Sequence, residues 1–257
     1  MRLFSILLAG LGLTLSSLTA QAEVRFGIMN ESYPPFFAKD ASGKWQGWEI
    51  DMMNAVCEQM KEECSVVELS WDGLIPALQS KKFDVIWSSM ANTSERSKVI
   101  DFTDKYYNTP STLIGPKDQK TGATADDVKG KTIGIQVSTV QSEYYKKYFA
   151  NVADEKTYQT LDEAFQDLLA GRIDYVFGDS LALDSFLKSD AGLDCCAKMG
   201  DVADDKDVLG AGVAGGLRKE DTDLKTKLNT AIAAVRANGK YDEITKKYFD
   251  FDIYGAN

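Results

Sequence analysis

Histidine is missing from all 257 residues of the chain. Its absence removes the side chain that most often acts as a general base near neutral pH, the most frequent zinc ligand, and every Ser-His or Cys-His nucleophilic pair. Many enzyme classes drop out at once, and neither a cofactor nor a metal site is expected. No low-complexity tether interrupts the chain, so any lobes must be joined by ordered crossings. Beyond the N-terminus no apolar run approaches the roughly 20 residues that a membrane-spanning helix needs. Positive charge is in short supply: 29 basic against 39 acidic side chains leave a formal net charge of −10. Such a balance repels nucleic acid and anionic membrane surfaces and mildly favours cationic solutes.

What is present begins with a leader. Arg2 supplies a positive start, Leu3 to Leu13 a short apolar stretch, and Ala20-Gln21-Ala22 the small-x-small pattern read by a signal peptidase. Residues 1–22 are therefore expected to be removed, leaving a soluble, exported chain that begins at Glu23. The residue directly after the cleavage site is Glu23 and not cysteine, so no lipid anchor is expected. Four cysteines remain, and an oxidising compartment favours their pairing. Cys57 and Cys64 are spaced to join the end of a helix to the strand after it, the alternative being two buried thiols. Adjacent Cys195 and Cys196 leave three options open: a vicinal disulfide, free thiols or an intermolecular contact.

Val24, Phe26 and Ile28 alternate as in a strand with one face on a core, and Pro34-Pro35 stops it. A turn at Asp40 to Gly43 leads to a helical spacing from Ile50 through Met53, Cys57 and Met60. Val66 and Val67 mark a second strand, and Asp72 is placed to cap the helix of Leu74, Ile75 and Leu78. Phe83 to Trp87 reads as a strand buried on both faces of a parallel sheet. Thr124 is placed to cap a short helix before a strand at Thr132 to Val137. Thr160 and Glu163 form a capping box for a helix that Gly171 ends. Leu224, Leu228, Ile232 and Val235 give a long amphipathic helix ended by Gly239, and a last helix holds Ile244 and Tyr248. Residues 82–89 (KFDVIWSS) match residues 172–179 (RIDYVFGD) as turn, buried strand and polar tip. That recurrence predicts two similar βα lobes with a cleft at the carboxyl ends of their strands, where open α/β sheets bind ligands.

Several motifs, in this order, carry a further reading: Tyr-Pro-Pro-Phe at 33–36, Gly-Trp-Glu-Ile-Asp at 47–51, Trp-Asp-Gly-Leu-Ile-Pro-Ala-Leu at 71–78, Ser-Ser-x-x-x-x-Ser-x-Arg at 88–96, Gly-Arg-Ile-Asp before Gly-Asp179, and the C-terminal Lys-Lys-Tyr-Phe-Asp-Phe-Asp-Ile-Tyr-Gly. Together they resemble the periplasmic polar amino acid-binding proteins of ABC transporters (solute-binding protein family 3), above all the lysine/arginine/ornithine- and arginine-binding members. The resemblance implies a type II periplasmic binding protein fold of two α/β lobes joined by two crossings. Transferred to this chain, residues 23–107 and 213–257 form lobe 1, residues 112–203 lobe 2, and residues 108–111 and 204–212 the crossings. It also implies a periplasmic monomer that captures a free amino acid without altering it and passes it to an inner-membrane ABC transporter permease.

Arg96 is the first site candidate, since a guanidinium fork holds a carboxylate through two parallel hydrogen bonds. Its counterpart in the family binds the ligand's α-carboxylate. Ser88 and Ser89 lie at the tip of the buried strand, and Asp179 at the matching tip of the second lobe, where the family places the partner of the α-ammonium. Tyr33 and Trp71 match the aromatic pair that flanks the side chain in cationic amino acid binders. Glu31 or Asn30 is the candidate for the ligand's distal charge, because the stretch from Gly27 to Tyr33 is one residue longer than in the relatives. Ala91 stands where relatives often place a hydroxyl. In the loop of Ser138, Thr139 and Val140, the contact candidates are Thr139, Val140 and Gln141. A cationic ligand such as arginine, lysine or ornithine is expected. The alternatives are a neutral polar binder of glutamine or cystine, an exported dehydratase-like enzyme using Asp179 or Glu31 as acid or base, and a soluble sensor with a receptor as partner.

Overall fold

The computed structural model describes residues 23–119 and 122–255; the leader and the cleavage position at Ala22 lie outside the described residues. Strand β1 (Val24–Met29) leads through the Tyr33-Pro34-Pro35-Phe36 loop into a small hairpin of β2 (Ala38–Lys39) and β3 (Trp45–Gln46). Its turn is tied by Asp40, whose carboxylate accepts from the N–H groups of Ser42 and Lys44. Helix α1 (Trp48–Met60) follows Gly47, whose φ of 130° and approach to the Phe36 carbonyl leave no room for a side chain. Next come β4 (Cys64–Leu69), a 3₁₀ turn at Trp71–Gly73, α2 (Leu74–Gln79) and β5 (Val85–Ile86). Asp72 does not cap α2. The 3₁₀ turn carries the helix start past it, and its carboxylate accepts from the Ser70 hydroxyl instead. Strand β6 (Asp101–Tyr107) then leads out of this sheet.

The second sheet is built from β7 (Ser111–Pro116), β8 (Thr132–Gln136), β9 (Asp154–Tyr158), β10 (Tyr175–Asp179) and β11 (Cys196–Asp201). Among them lie α3 (Val140–Tyr148), α4 (Leu161–Leu169), α5 (Ser180–Leu187) and α6 (Asp190–Cys195). The Thr160–Glu163 capping box of α4 is formed in both directions. The stretch after Thr124 stays in turns instead of forming a helix. There Asp127 accepts from the Thr124 hydroxyl, closing the turn locally, and Gly130 at φ 70° diverts the chain towards β8. A one-turn helix α7 (Lys206–Leu209) carries the chain back to β12 (Val213–Leu217), α8 (Thr222–Ala237) and α9 (Lys240–Thr245). Tyr248 falls in the turn beyond α9.

The two five-stranded sheets run in the orders β4-β1-β5-β12-β6 and β11-β7-β10-β8-β9. Each is mixed and not purely parallel. Strands β1, β4 and β5 are parallel, as are β8, β9 and β10, whereas β12 and β7, the strands that the chain enters after passing between sheets, pair antiparallel. Strand β1 lies between β4 and β5 and is buried on both faces, not one, the Phe83 ring covering the face that carries Gly27. Gly27 makes room for a neighbour, since a Cβ there would stand 2.5 Å from the Phe83 ring. The sequence recurrence has a shared physical basis. Asp84 accepts from the backbone N–H of Arg25 at the start of β1, and Asp174 from that of Thr132 at the start of β8, so each carboxylate pins a strand start beside it.

Lobe 1 has one apolar core, in which the Trp87 and Tyr106 rings stack at 4.2 Å. Lobe 2 buries two clusters, with Phe177 in one and Val176 in the other. The C-terminal segment returns to the first crossing, where the Asn108 N–H donates to the carbonyl of buried Ile253 at 2.8 Å. Cys57 and Cys64 form a disulfide between α1 and β4, and Cys195 is joined to Cys196. The first bridge closes a short loop, for which chain entropy gives about 2 kcal/mol. Replacing both Cys57 and Cys64 by Ala should lower unfolding free energy by about that amount, measured by urea titration; an unchanged midpoint would contradict it.

Candidate functional site

A cavity of about 230 Å³ lies between the sheets, small beside the roughly 300–1,000 Å³ of drug-sized pockets. Tyr33, Trp71, Ser88, Ser89, Ala91 and Arg96 line it from lobe 1, and Gln136, Thr139, Val140, Gln141 and Asp179 from lobe 2. Residues Asn108 to Pro110, between β6 and β7, and Ser111 at the start of β7 form part of its wall.

Arg96 opens a 3₁₀ turn and donates from Nη1 to the Ala91 carbonyl (3.0 Å) and from Nη2 to the Ser138 carbonyl across the cleft (3.1 Å). Among the described residues no carboxylate pairs with it, and burial pushes its pKa down to about 10, with Glu143 pulling the other way. It remains charged at neutral pH, with two carbonyl dipoles for compensation. Ser138, held at φ 60°, also accepts from Trp71 Nε1 (3.3 Å), so one lobe 2 carbonyl gathers two lobe 1 donors. The Trp71 ring lies 5.4 Å from the Arg96 guanidinium. Tyr33 stacks on Phe36 and Phe37, and burial, with Asp179 adding to it, raises its phenol.

Thr139 caps α3: its hydroxyl accepts from the Ser142 N–H and donates to the Gln136 carbonyl. Its side chain is thereby committed to the helix, while the first-turn N–H groups of Val140 and Gln141 lack intrahelical acceptors and lie at the cavity. Gln141 is buried, its amide donating to Ser111 Oγ at 2.8 Å. Asp179 is both a cap and a pocket residue. One carboxylate oxygen accepts from the Leu181 and Ala182 N–H groups of α5, and the other from the Thr109 hydroxyl of the crossing. Burial raises its pKa against those bonds.

Ser88 is fully buried, and its Oγ accepts from the Met29 N–H at 2.9 Å. Ser89 is left-handed at φ 54° and gives both of its hydrogens, N–H and O–H, to Glu49 (2.9 and 2.8 Å). Glu49 was not singled out in the sequence. Its signal was an acidic residue set between the apolar Trp48 and Ile50, and the structure buries all three at the start of α1. Gln136, Ser138 and Thr109 were also missed, since nothing local marks them.

The two candidates for a distal charge separate. Asn30 is exposed and does not line the cavity; as strand β1 ends, its backbone bonds to Leu69 and its side chain faces outwards. Glu31 is not among the residues lining the cavity either, but it accepts from the amide of Gln136, which is, at 3.3 Å across the cleft. Burial, then the charges of Asp162, Glu163 and Asp72, raise it to about 7. No cluster able to hold a metal ion occurs among the described residues.

Comparison with known proteins places this geometry in context. The family model for bacterial extracellular solute-binding proteins, family 3, matches residues 24–251. An L-arginine-binding protein of Pseudomonas aeruginosa is 43% identical over 247 residues, covering 95% of each chain. The lysine/arginine/ornithine-binding periplasmic protein of Escherichia coli is 39% identical over 252 residues, covering 97% of this chain and 96% of its own. A solved Salmonella typhimurium periplasmic binding protein described for high arginine specificity superposes with a TM-score of 0.80 at 32% identity, covering 88% of this chain and 99% of its own.

Proposed function

Because this chain belongs to the bacterial extracellular solute-binding proteins of family 3, we propose that it captures a cationic L-amino acid, namely arginine, lysine or ornithine, and delivers it unaltered to an inner-membrane ABC transporter. The observation that carries the reading is Arg96, a guanidinium held in the cleft without an ion pair among the described residues. A ligand α-carboxylate supplies the missing anion, helped by the first-turn N–H groups of α3. The α-ammonium then meets Asp179 and the oxygens of Ser88 and Ser89. The Tyr33 and Trp71 rings flank the side chain, each contributing about 0.5–2 kcal/mol to a desolvated cation. Its distal charge reaches Glu31. The groups that meet the ligand sit on both lobes, so its binding energy favours the closed state.

The setting is periplasmic, the mature chain is a monomer beginning at Glu23, and the ligand leaves as it entered. Isothermal titration with arginine, lysine, ornithine, histidine, glutamine and cystine tests this; heat from none of them would sink the amino acid reading. Recovering arginine intact after prolonged incubation separates binding from dehydratase-like chemistry.

Glu31→Gln should weaken arginine, lysine and ornithine about tenfold, the scale of one charge-assisted hydrogen bond, and leave glutamine unchanged. A cationic side chain lowers the pKa of Glu31 from about 7, so binding releases a proton. Affinity for arginine therefore rises with pH up to about 7 and then levels, a trend that is shallower in the variant because one of its linked protons is gone. Equal loss across all ligands would contradict the assignment.

A further inference from the structure

Glu49 makes no contact with the cavity, yet it is wholly buried and receives three hydrogen bonds: from Ser89 N–H and Ser89 O–H, and from the Tyr106 phenol of β6. Its own backbone carbonyl accepts from Trp87 Nε1 at 2.9 Å, and its N–H donates to the Phe36 carbonyl at 2.9 Å. One residue thus ties the Tyr33–Phe37 loop, the strand tip at Trp87 and the left-handed Ser89. The bonding pattern is that of a carboxylate, which only accepts. With both Ser89 hydrogens drawn away from the cleft, Ser89 presents acceptors alone to whatever occupies the cavity.

We infer that Glu49 is a positioning residue whose negative charge sets the polarity of Ser89, so that this wall of the pocket accepts hydrogen bonds from an ammonium and disfavours binding when Glu49 is protonated. The inference rests on the amino acid reading above and deepens it at the α-ammonium end. A protonated Glu49 must itself donate. Ser89 O–H or Tyr106 O–H then has to turn, and a hydroxyl hydrogen released by Ser89 points towards the ligand cation. Burial raises Glu49 to about 7, against the lowering bonds from Tyr106 and Ser89 and with Asp179 adding to the rise. The charged or titratable groups facing it are Tyr106 and Tyr107 on β6, Tyr33 in the loop after β1, and Asp179 across the cleft. No basic side chain pairs with it among the described residues, so nothing but the three donors holds the carboxylate form.

The test is isothermal titration of L-arginine from pH 5.5 to 8.5, with Glu31→Gln as the common background so that its own titration is silent. In that background, affinity should fall by up to about tenfold per pH unit below neutrality, the limit for one linked proton. Adding Glu49→Gln should give weak binding at every pH, more than tenfold below the background at pH 8.5 and converging with it at pH 5.5, with the thermal midpoint of the ligand-free protein checked alongside. Adding Tyr106→Phe removes a donor to the carboxylate and should move the midpoint of the affinity loss to higher pH. If Glu49→Gln does not fold, the Tyr106→Phe shift decides. An unmoved midpoint, or a Glu49→Gln protein that keeps the full pH dependence, overturns the inference. Failure of the otherwise unmodified protein to bind any amino acid overturns the functional reading beneath it instead.

Discussion

Arg96→Ala abolishes measurable binding of every amino acid, with affinity falling by at least a thousandfold. Removing one partner of a desolvated, hydrogen-bonded charge pair typically costs 2–5 kcal/mol or more, and about 4 kcal/mol corresponds to a factor of roughly a thousand. The loss does not depend on side-chain type because every α-amino acid carries the same carboxylate. Arg96→Lys recovers little, since a point charge cannot present two parallel donors while also meeting the Ala91 and Ser138 carbonyls. The ligand-free protein is not harmed, because a charge without an ion pair contributes desolvation penalty more than stability. Titration calorimetry together with thermal melts reads both quantities. Residual binding within tenfold of the original protein would place the carboxylate elsewhere.

Asp179→Asn separates the two duties of that side chain. Asparagine is as good a helix cap as aspartate, so the bonds from the Leu181 and Ala182 N–H groups are kept and the thermal midpoint should move little. The charge for the α-ammonium is gone, and affinity should drop by about a hundredfold, or roughly 3 kcal/mol. Asp179→Ala should add about 1 kcal/mol of lost stability from the missing cap. If the Asn variant binds normally, Asp179 is a cap and nothing more.

What could be read from the chain and what could not divides by the range of the interaction. The Thr160–Glu163 box and the positive-φ stop at Gly171 are set within a few residues, and both are formed. The double burial of β1 escaped because hydrophobic alternation counts side chains, whereas the space at Gly27 is filled by Phe83 from a distant segment. Asp72 and Thr124 had suitable identities for caps, yet a 3₁₀ turn and a closed local turn diverted them. At the site, resemblance supplied Arg96 and Asp179, and the structure brings both to one cavity. Ser89 was chosen for its hydroxyl, but that hydroxyl belongs to Glu49, 40 positions away. No spacing rule connects those two residues. Of Glu31 and Asn30, only strand geometry decides which turns towards the second lobe.

The interruption of lobe 1 has a consequence for the order in which the chain acquires its shape. Strand β12 lies between β5 and β6, so β6 has no place in the first sheet until residues 213–217 have been made. Trp87 and Ile86 have no cover on that side before then, and the Asn108–Ile253 bond waits for the very end of the chain. The second sheet, by contrast, is continuous from β7 to β11 and depends on no later residue. An N-terminal half that lacks the strand bridging β5 to β6 leaves this long-range pairing to be made late. The wall of the cleft that Ser88 and Ser89 provide just beyond β5 is therefore among the last parts of the molecule to become fixed.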